Sequence, residues 1–167
     1  MGSRRSQARR YAMLALYQWQ VTGQSPSEIG RHFLNDPIWM GEVSDSLAAA
    51  AEEGACDDPE QRVYDHDLFD QLLSGVPRRV QELDALLQPL LDRRVEQVDP
   101  VERAILRLGV YELVHCPEIP YRVVINEAVD LAKSFGAEQG HRYVSGAMDR
   151  IARQVRGGEV ASSTAAH

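Results

Sequence analysis

From Asp67 onward the apolar residues Phe69, Leu72, Leu73, Val76, Val80, Leu83, Leu87 and Leu90 recur at three- and four-residue steps. That period holds for about six turns, and it suits an α-helix rather than a strand. Nothing else in the chain competes with it: no stretch alternates strictly, and no Asn-Gly or Asp-Gly hairpin turn occurs. The expected class is all-α. Pro77 interrupts the long pattern by removing a backbone donor and crowding the preceding turn, so two helices are expected, or one helix bent near Gly75.

Helix punctuation orders the rest of the chain. Over 6–21, Ala8, Ala12, Ala15, Leu16 and Trp19 fall on one stripe that leaves Arg9 and Arg10 off it, and Gly23 stops the helix. Ser25-Pro26-Ser27-Glu28 reads as a capping box, and Asp99-Pro100-Val101-Glu102 repeats it. The second of these helices runs to about His115 and is apolar almost all round, which places it at the centre of a bundle. Cys116 to Pro120 forces an extended link. A helix over 121–135, stopped by Gly136, and a last helix from 137 to about 155 follow. Residues 35–66 read as an insertion, with a loop at 37–41, an Ala-rich helix at 44–53 and an acidic loop at 54–59. Residues 157–167 are small, polar and aperiodic, and a mobile tail is expected there. The reading gives one domain over 1–156, with an N-terminal half to about 76 and a C-terminal half from about 77.

Composition closes several functional classes. Of 167 residues 44% are hydrophobic, enough for one real core. No apolar run approaches the roughly 18 residues of a membrane span. The basic start followed by a short apolar run imitates a signal peptide, yet Gln18 and Gln20 follow and no small-residue cleavage site does. Cys56 and Cys116 belong to no CxxC or Cys/His cluster, so a reduced, cytoplasmic protein without metal or other cofactor is expected. No phosphate loop or nucleophile elbow is present. His115 and Cys116 are adjacent and point apart at a helix end. His66 between Asp65 and Asp67 cannot converge on a metal. Asn126, Glu127 and Asp130 share a helix face that a surface helix explains equally well. No catalytic centre emerges.

Charge is distributed unevenly. The net charge is −7 overall, yet residues 1–34 carry +4, residues 35–70 carry −10 and the remainder −1. A polyanion responds to local potential, so the N-terminal arginines are the candidate contact. Arg4, Arg5, Arg9 and Arg10 precede any acid and share their helix with Tyr11 and Tyr17, while Lys133, His141, Arg142 and Tyr143 surround the Gly136 turn. Cations interleaved with aromatics suit single-stranded RNA, the cations serving the backbone and the rings stacking on unpaired bases. Core packing of Tyr17 and Tyr143 is the competing explanation. The acidic segment 35–70 is expected to face away from such a ligand.

The stretches ARRYAMLALYQWQ, FDQLLSGV, PVERAILRLGVYEL and PYRVVINEAVDLAKSFGAEQGHRYVSGAMDR resemble the NusB family of bacterial transcription antitermination factors, closely over 6–21 and almost continuously over 67–153. The resemblance implies two packed helical bundles without enzymatic activity. It implies binding of boxA-type single-stranded RNA together with ribosomal protein NusE, on an RNA polymerase elongation complex with other Nus factors. By position it assigns Arg4, Arg5, Arg9, Arg10, Tyr17, Lys133, Gln139, His141, Arg142 and Tyr143 to RNA. To NusE it assigns Glu102, with Arg103 and Tyr111 or Glu112 on neighbouring turns. Two departures stand out: Gln139, where many relatives carry Asp, removes a phosphate-repelling carboxylate, and Leu90 replaces an aromatic. Glu102 has a rival role as capping acid. The rival functions are a protein-binding helical module or homodimer, and an RNA methyltransferase. The second is disfavoured because no cofactor loop or catalytic Cys motif follows residue 156.

Overall fold

A computed structural model describes residues 3–35, 64–136 and 138–165. The features expected at 37–41, 44–53 and 54–59 lie outside the described residues, as does Cys56. Among the described residues the structure is helical and contains no strand. Helix α1 spans Arg4–Thr22, capped by Ser3, whose hydroxyl accepts from the Ser6 amide at 3.0 Å. It ends at Gly23, whose φ of 74° is the left-handed conformation that glycine adopts without strain. Helix α2, Pro26–Asn35, begins as its sequence announces, with Ser25 Oγ accepting from the Glu28 amide at 3.2 Å.

Helix α3, His66–Arg78, is capped by Asp65 and carries Pro77 in its last turn. The break falls at Arg79, after the proline, and α4 follows at Val80–Leu87. The bend is therefore not at Gly75. Gly75 serves close packing instead, because a Cβ there would stand 2.5 Å from the Tyr111 ring. Two 3₁₀ turns follow, Gln88–Leu90 and Val95–Gln97. The Gln88 side chain staples them, donating to Arg93 O and accepting from the Val95 amide, each at 3.0 Å.

Helix α5, Pro100–His115, is capped by Asp99 and buried on nearly every side. It packs against α1, α3 and α4 on one side, and against α6, Tyr121–Phe135, and α7, Gly140–Val155, on the other. One continuous apolar core joins both groups. Polar seams run through it. Arg107 forks onto both carboxylate oxygens of Asp84 at 2.9 and 2.7 Å and donates to Gln20 Oε1 at 3.0 Å, tying α1, α4 and α5 together. Cys116 is a free, buried thiol pushed up to about 11 by burial.

Two boundaries differ from expectation. Helix α7 starts at Gly140 rather than 137, and Gly140 packs closely against the Glu102 carboxylate. The segment after Arg156, expected to be a mobile tail, is helical over Gly157–Ala165 and forms α8. The anchor is Arg156, whose guanidinium donates to Leu113 O, Ile119 O and Cys116 O at 2.8, 2.8 and 3.0 Å. It thereby serves the Leu113 carbonyl in the last turn of α5 and two carbonyls of the link that follows. Arg156 also pairs with Glu159 at 2.8 Å, and Glu159 in turn accepts from the Tyr121 amide that opens α6. A composition-based reading cannot see such an anchor.

Candidate nucleic-acid interface

The first turns of α1 carry four arginines in contrasting settings. Arg4 and Arg5 are exposed, Arg5 lying 3.9 Å from Asp65. Arg9 faces inward. It is only 2% exposed, and its Nε donates to both carboxylate oxygens of Glu112 at 2.9 and 3.0 Å, with Glu127 3.8 Å away. Arg9 is therefore corrected from a phosphate ligand to an interior partner, and Glu112, 1% exposed, from a NusE contact to the same pair. Burial pushes the Glu112 carboxyl above the usual carboxylate range, and the Arg9 hydrogen bond opposes that shift.

Arg10, one residue further and about 100° round the helix, emerges into a groove of about 380 Å³ between α1 and α6. Lys133, Glu127, Asp130 and Phe135 line the same groove. The Arg10 guanidinium lies 4.8 Å from the centre of the Phe135 ring, within cation–π range. Tyr17 stands two turns along α1 on the face that Arg10 occupies, half-buried against the core. At the end of α6 the chain turns through Gly136 into α7, so exposed Gln139 and Arg142 and half-buried His141 follow within a few residues of the groove.

Tyr143 is half-buried, with its hydroxyl 3.4 Å from Asp92 Oδ1 and the Arg93 guanidinium 4.9 Å above its ring. Burial first, then the Asp92 charge, raises its hydroxyl above the ordinary phenol value. Asp92 and Arg93 pair at 2.8 Å. Sequence reasoning missed Arg93 and Phe135. The signal for Arg93 was the Asp-Arg-Arg run in a stretch without helical period. Phe135 gave none, since it looks like any core residue at a helix end.

The residues assigned to NusE fare differently. Asp99 alone caps α5, accepting from the amides of Val101 and Glu102 at 2.9 and 3.3 Å. The Glu102 carboxylate instead lies against Gly140 at the start of α7, is 8% exposed, and titrates above its usual range because of burial and the Asp99 charge. Tyr111 is buried against Gly75, its ring tilted against that of His115 with centres 5.1 Å apart, so it too is corrected from a surface contact to a packing residue. The common cause is that α5 is the central helix. Arg103 reaches the surface in part and donates to Glu96 O at 3.0 Å.

Among the described residues no cluster of His, Cys, Asp and Glu could hold a metal ion, and no helix is long and apolar enough to cross a membrane. A family model described as the NusB family matches residues 6–153. The transcription antitermination protein NusB of Nitrosococcus oceani is 48% identical, over 97% of this chain and 94% of its own. That of Hahella chejuensis is 46% identical over 96% and 93%. Among solved structures, T. maritima NusB aligns with a TM-score of 0.65 at 25% identity, covering 92% of this chain and 93% of that one. A structure of the antitermination factors NusB and NusE in complex with double-stranded RNA aligns with the same TM-score and identity, over 92% and 99%. With its helices in that arrangement and its sequence matched over nearly all of their length, the chain belongs to the NusB family.

Proposed function

We propose that the protein is an RNA-binding adaptor of transcription antitermination. It holds a boxA-type single-stranded RNA leader sequence together with ribosomal protein NusE on the RNA polymerase elongation complex, with other Nus factors, in the cytoplasm. The NusB relatives and the NusB–NusE structure with RNA support the class of function. The observation that carries the site is that Arg10, from the N-terminal helix, and Lys133, from α6, line one groove beside an aromatic ring. Two cations from distant parts of the chain meet where a phosphate backbone can bridge them. Exposed Arg4, Arg5 and Arg142 extend the track, and Tyr17 and Tyr143 supply rings for unpaired bases. Gln139 keeps a carboxylate off the track, and His141 flanks it. NusE docks at the N-terminal end of α5, where Arg103 is the surface contact and Glu102 packs against Gly140 at the start of α7.

The test is a fluorescence-anisotropy titration of labelled boxA-type single strand, a scrambled strand and a duplex, with and without NusE, across salt. Five cations on phosphates give a log–log salt slope of about −3.5 for a single strand, with preference for the boxA strand that NusE strengthens. A slope near zero, or indifference to both sequence and NusE, overturns the reading in favour of a protein-binding module.

A further inference from the structure

Two of the groove's charged residues oppose a phosphate ligand. Glu127 and Asp130 are carboxylates on the wall that also presents Lys133, and an acid beside an RNA backbone repels it. Glu127 is engaged: it accepts from Ser6 Oγ at 2.7 Å and lies 3.8 Å from Arg9. Asp130, one turn further along α6, is exposed, and no hydrogen bond or ion pair among the described residues engages it. A carboxylate in such a place becomes favourable when the ligand brings a donor to it. RNA carries its donors on the edges of its bases, and unpaired bases expose them.

The geometry points to a base-reading pocket: we infer that the groove between α1 and α6 takes one unpaired guanine, stacked on the outer face of Arg10, with the Asp130 carboxylate reading its Watson–Crick edge. The inference rests on the RNA-adaptor reading above and adds the base that this groove selects. The Arg10 guanidinium lies over Phe135, 4.8 Å from the ring centre, and a guanidinium plane beside an aromatic ring is the kind of group on which unpaired bases stack. The cavity, about 380 Å³, lies at the small end of the range for ligand clefts, roughly 300–1,000 Å³. Guanine is the base whose edge offers two adjacent donors, the ring N1–H and the exocyclic 2-amino group, matching both oxygens of one carboxylate. Adenine and cytosine present one amino group beside a ring acceptor, which the second carboxylate oxygen repels. Uracil flanks its single N–H with carbonyls. Lys133 then faces the phosphate beside the bound nucleotide.

The test uses the full chain and three labelled 12-nucleotide oligouridylates carrying at the centre a guanosine, an inosine or an adenosine. Inosine lacks only the 2-amino group. The guanosine strand is expected to bind roughly tenfold tighter than the other two, as one good bidentate base contact implies. Asp130→Asn should reduce that preference to below about twofold without weakening the binding of plain oligouridylate, which loses a repelling charge and gains nothing else, and without moving the thermal melting curve. Equal, salt-dependent binding of all three strands overturns the pocket and leaves the adaptor reading standing. A guanosine preference that survives Asp130→Asn also overturns it. Failure to bind any RNA overturns both readings.

Discussion

Arg9 and Arg10 are chain neighbours at the same helix end, yet they belong to two different regions. One enters the seam between α1 and α5, where it pairs with Glu112 and is 2% exposed. The other enters the groove between α1 and α6, where it lies over Phe135 beside Lys133. The same guanidinium holds the core together in the first region and offers charge to a ligand in the second. One helical step of about 100° decides between them. A cluster of like charges at a terminus is thus two populations, and only exposure and partners separate them.

The seam should break first and hardest. Arg9→Met leaves the Glu112 carboxylate buried without its partner, and urea denaturation should show a loss of about 3–5 kcal/mol. The double variant Arg9→Met with Glu112→Leu should recover most of it, because the desolvated charge goes with its partner. The loss should also shrink on acidification. Burial raises the Glu112 carboxyl above its unfolded value, and removing Arg9 removes an influence that lowers it. As pH falls the folded state of the single variant therefore takes up a proton before the unfolded chain does. Denaturation at pH 5 and pH 8 checks this, with the smaller deficit at pH 5.

Arg156 tests the interior role of a cation at the other end of the molecule. Its guanidinium serves the carbonyls of Leu113, Cys116 and Ile119, and Arg156→Ala should cost about 2–3 kcal/mol. Amide hydrogen exchange should then show α8 and the start of α6 opening together. The groove should respond in the opposite sense. Arg10→Ala forfeits a cation–π contact worth about 0.5–1 kcal/mol, but it should weaken RNA binding and make the salt slope shallower by about 0.7. Lys133→Ala and Arg142→Ala should leave stability within about 0.5 kcal/mol and take a similar step off the slope. Unchanged slopes for all three would erase the distinction between seam and groove.

What the sequence made legible follows from where the controlling contacts lie. Ser25, Asp99 and Gly23 act on residues within one turn, so the helix boundaries they set were readable. The central position of α5 was readable as well, since it is apolar all round. The Arg9–Glu112 pair spans 103 positions, and no local pattern announces which charge faces which. The same holds for α8, whose small polar residues look disordered until Arg156 and Glu159 tie them to α5 and α6. The Asp92, Arg93 and Tyr143 cluster joins a loop to a helix across 51 positions. For the site, the direction of each side chain was legible only where burial was local.

The most direct test compares the salt dependence of boxA-type RNA binding for the native chain, Arg10→Ala and the Arg9→Met/Glu112→Leu double variant, each checked for folding by its melting curve. The account predicts a slope shallower by about 0.7 for Arg10→Ala and a native slope for the double variant. A double variant that is folded but loses slope and affinity as Arg10→Ala does would contradict it, because the buried arginine would then be a phosphate ligand after all.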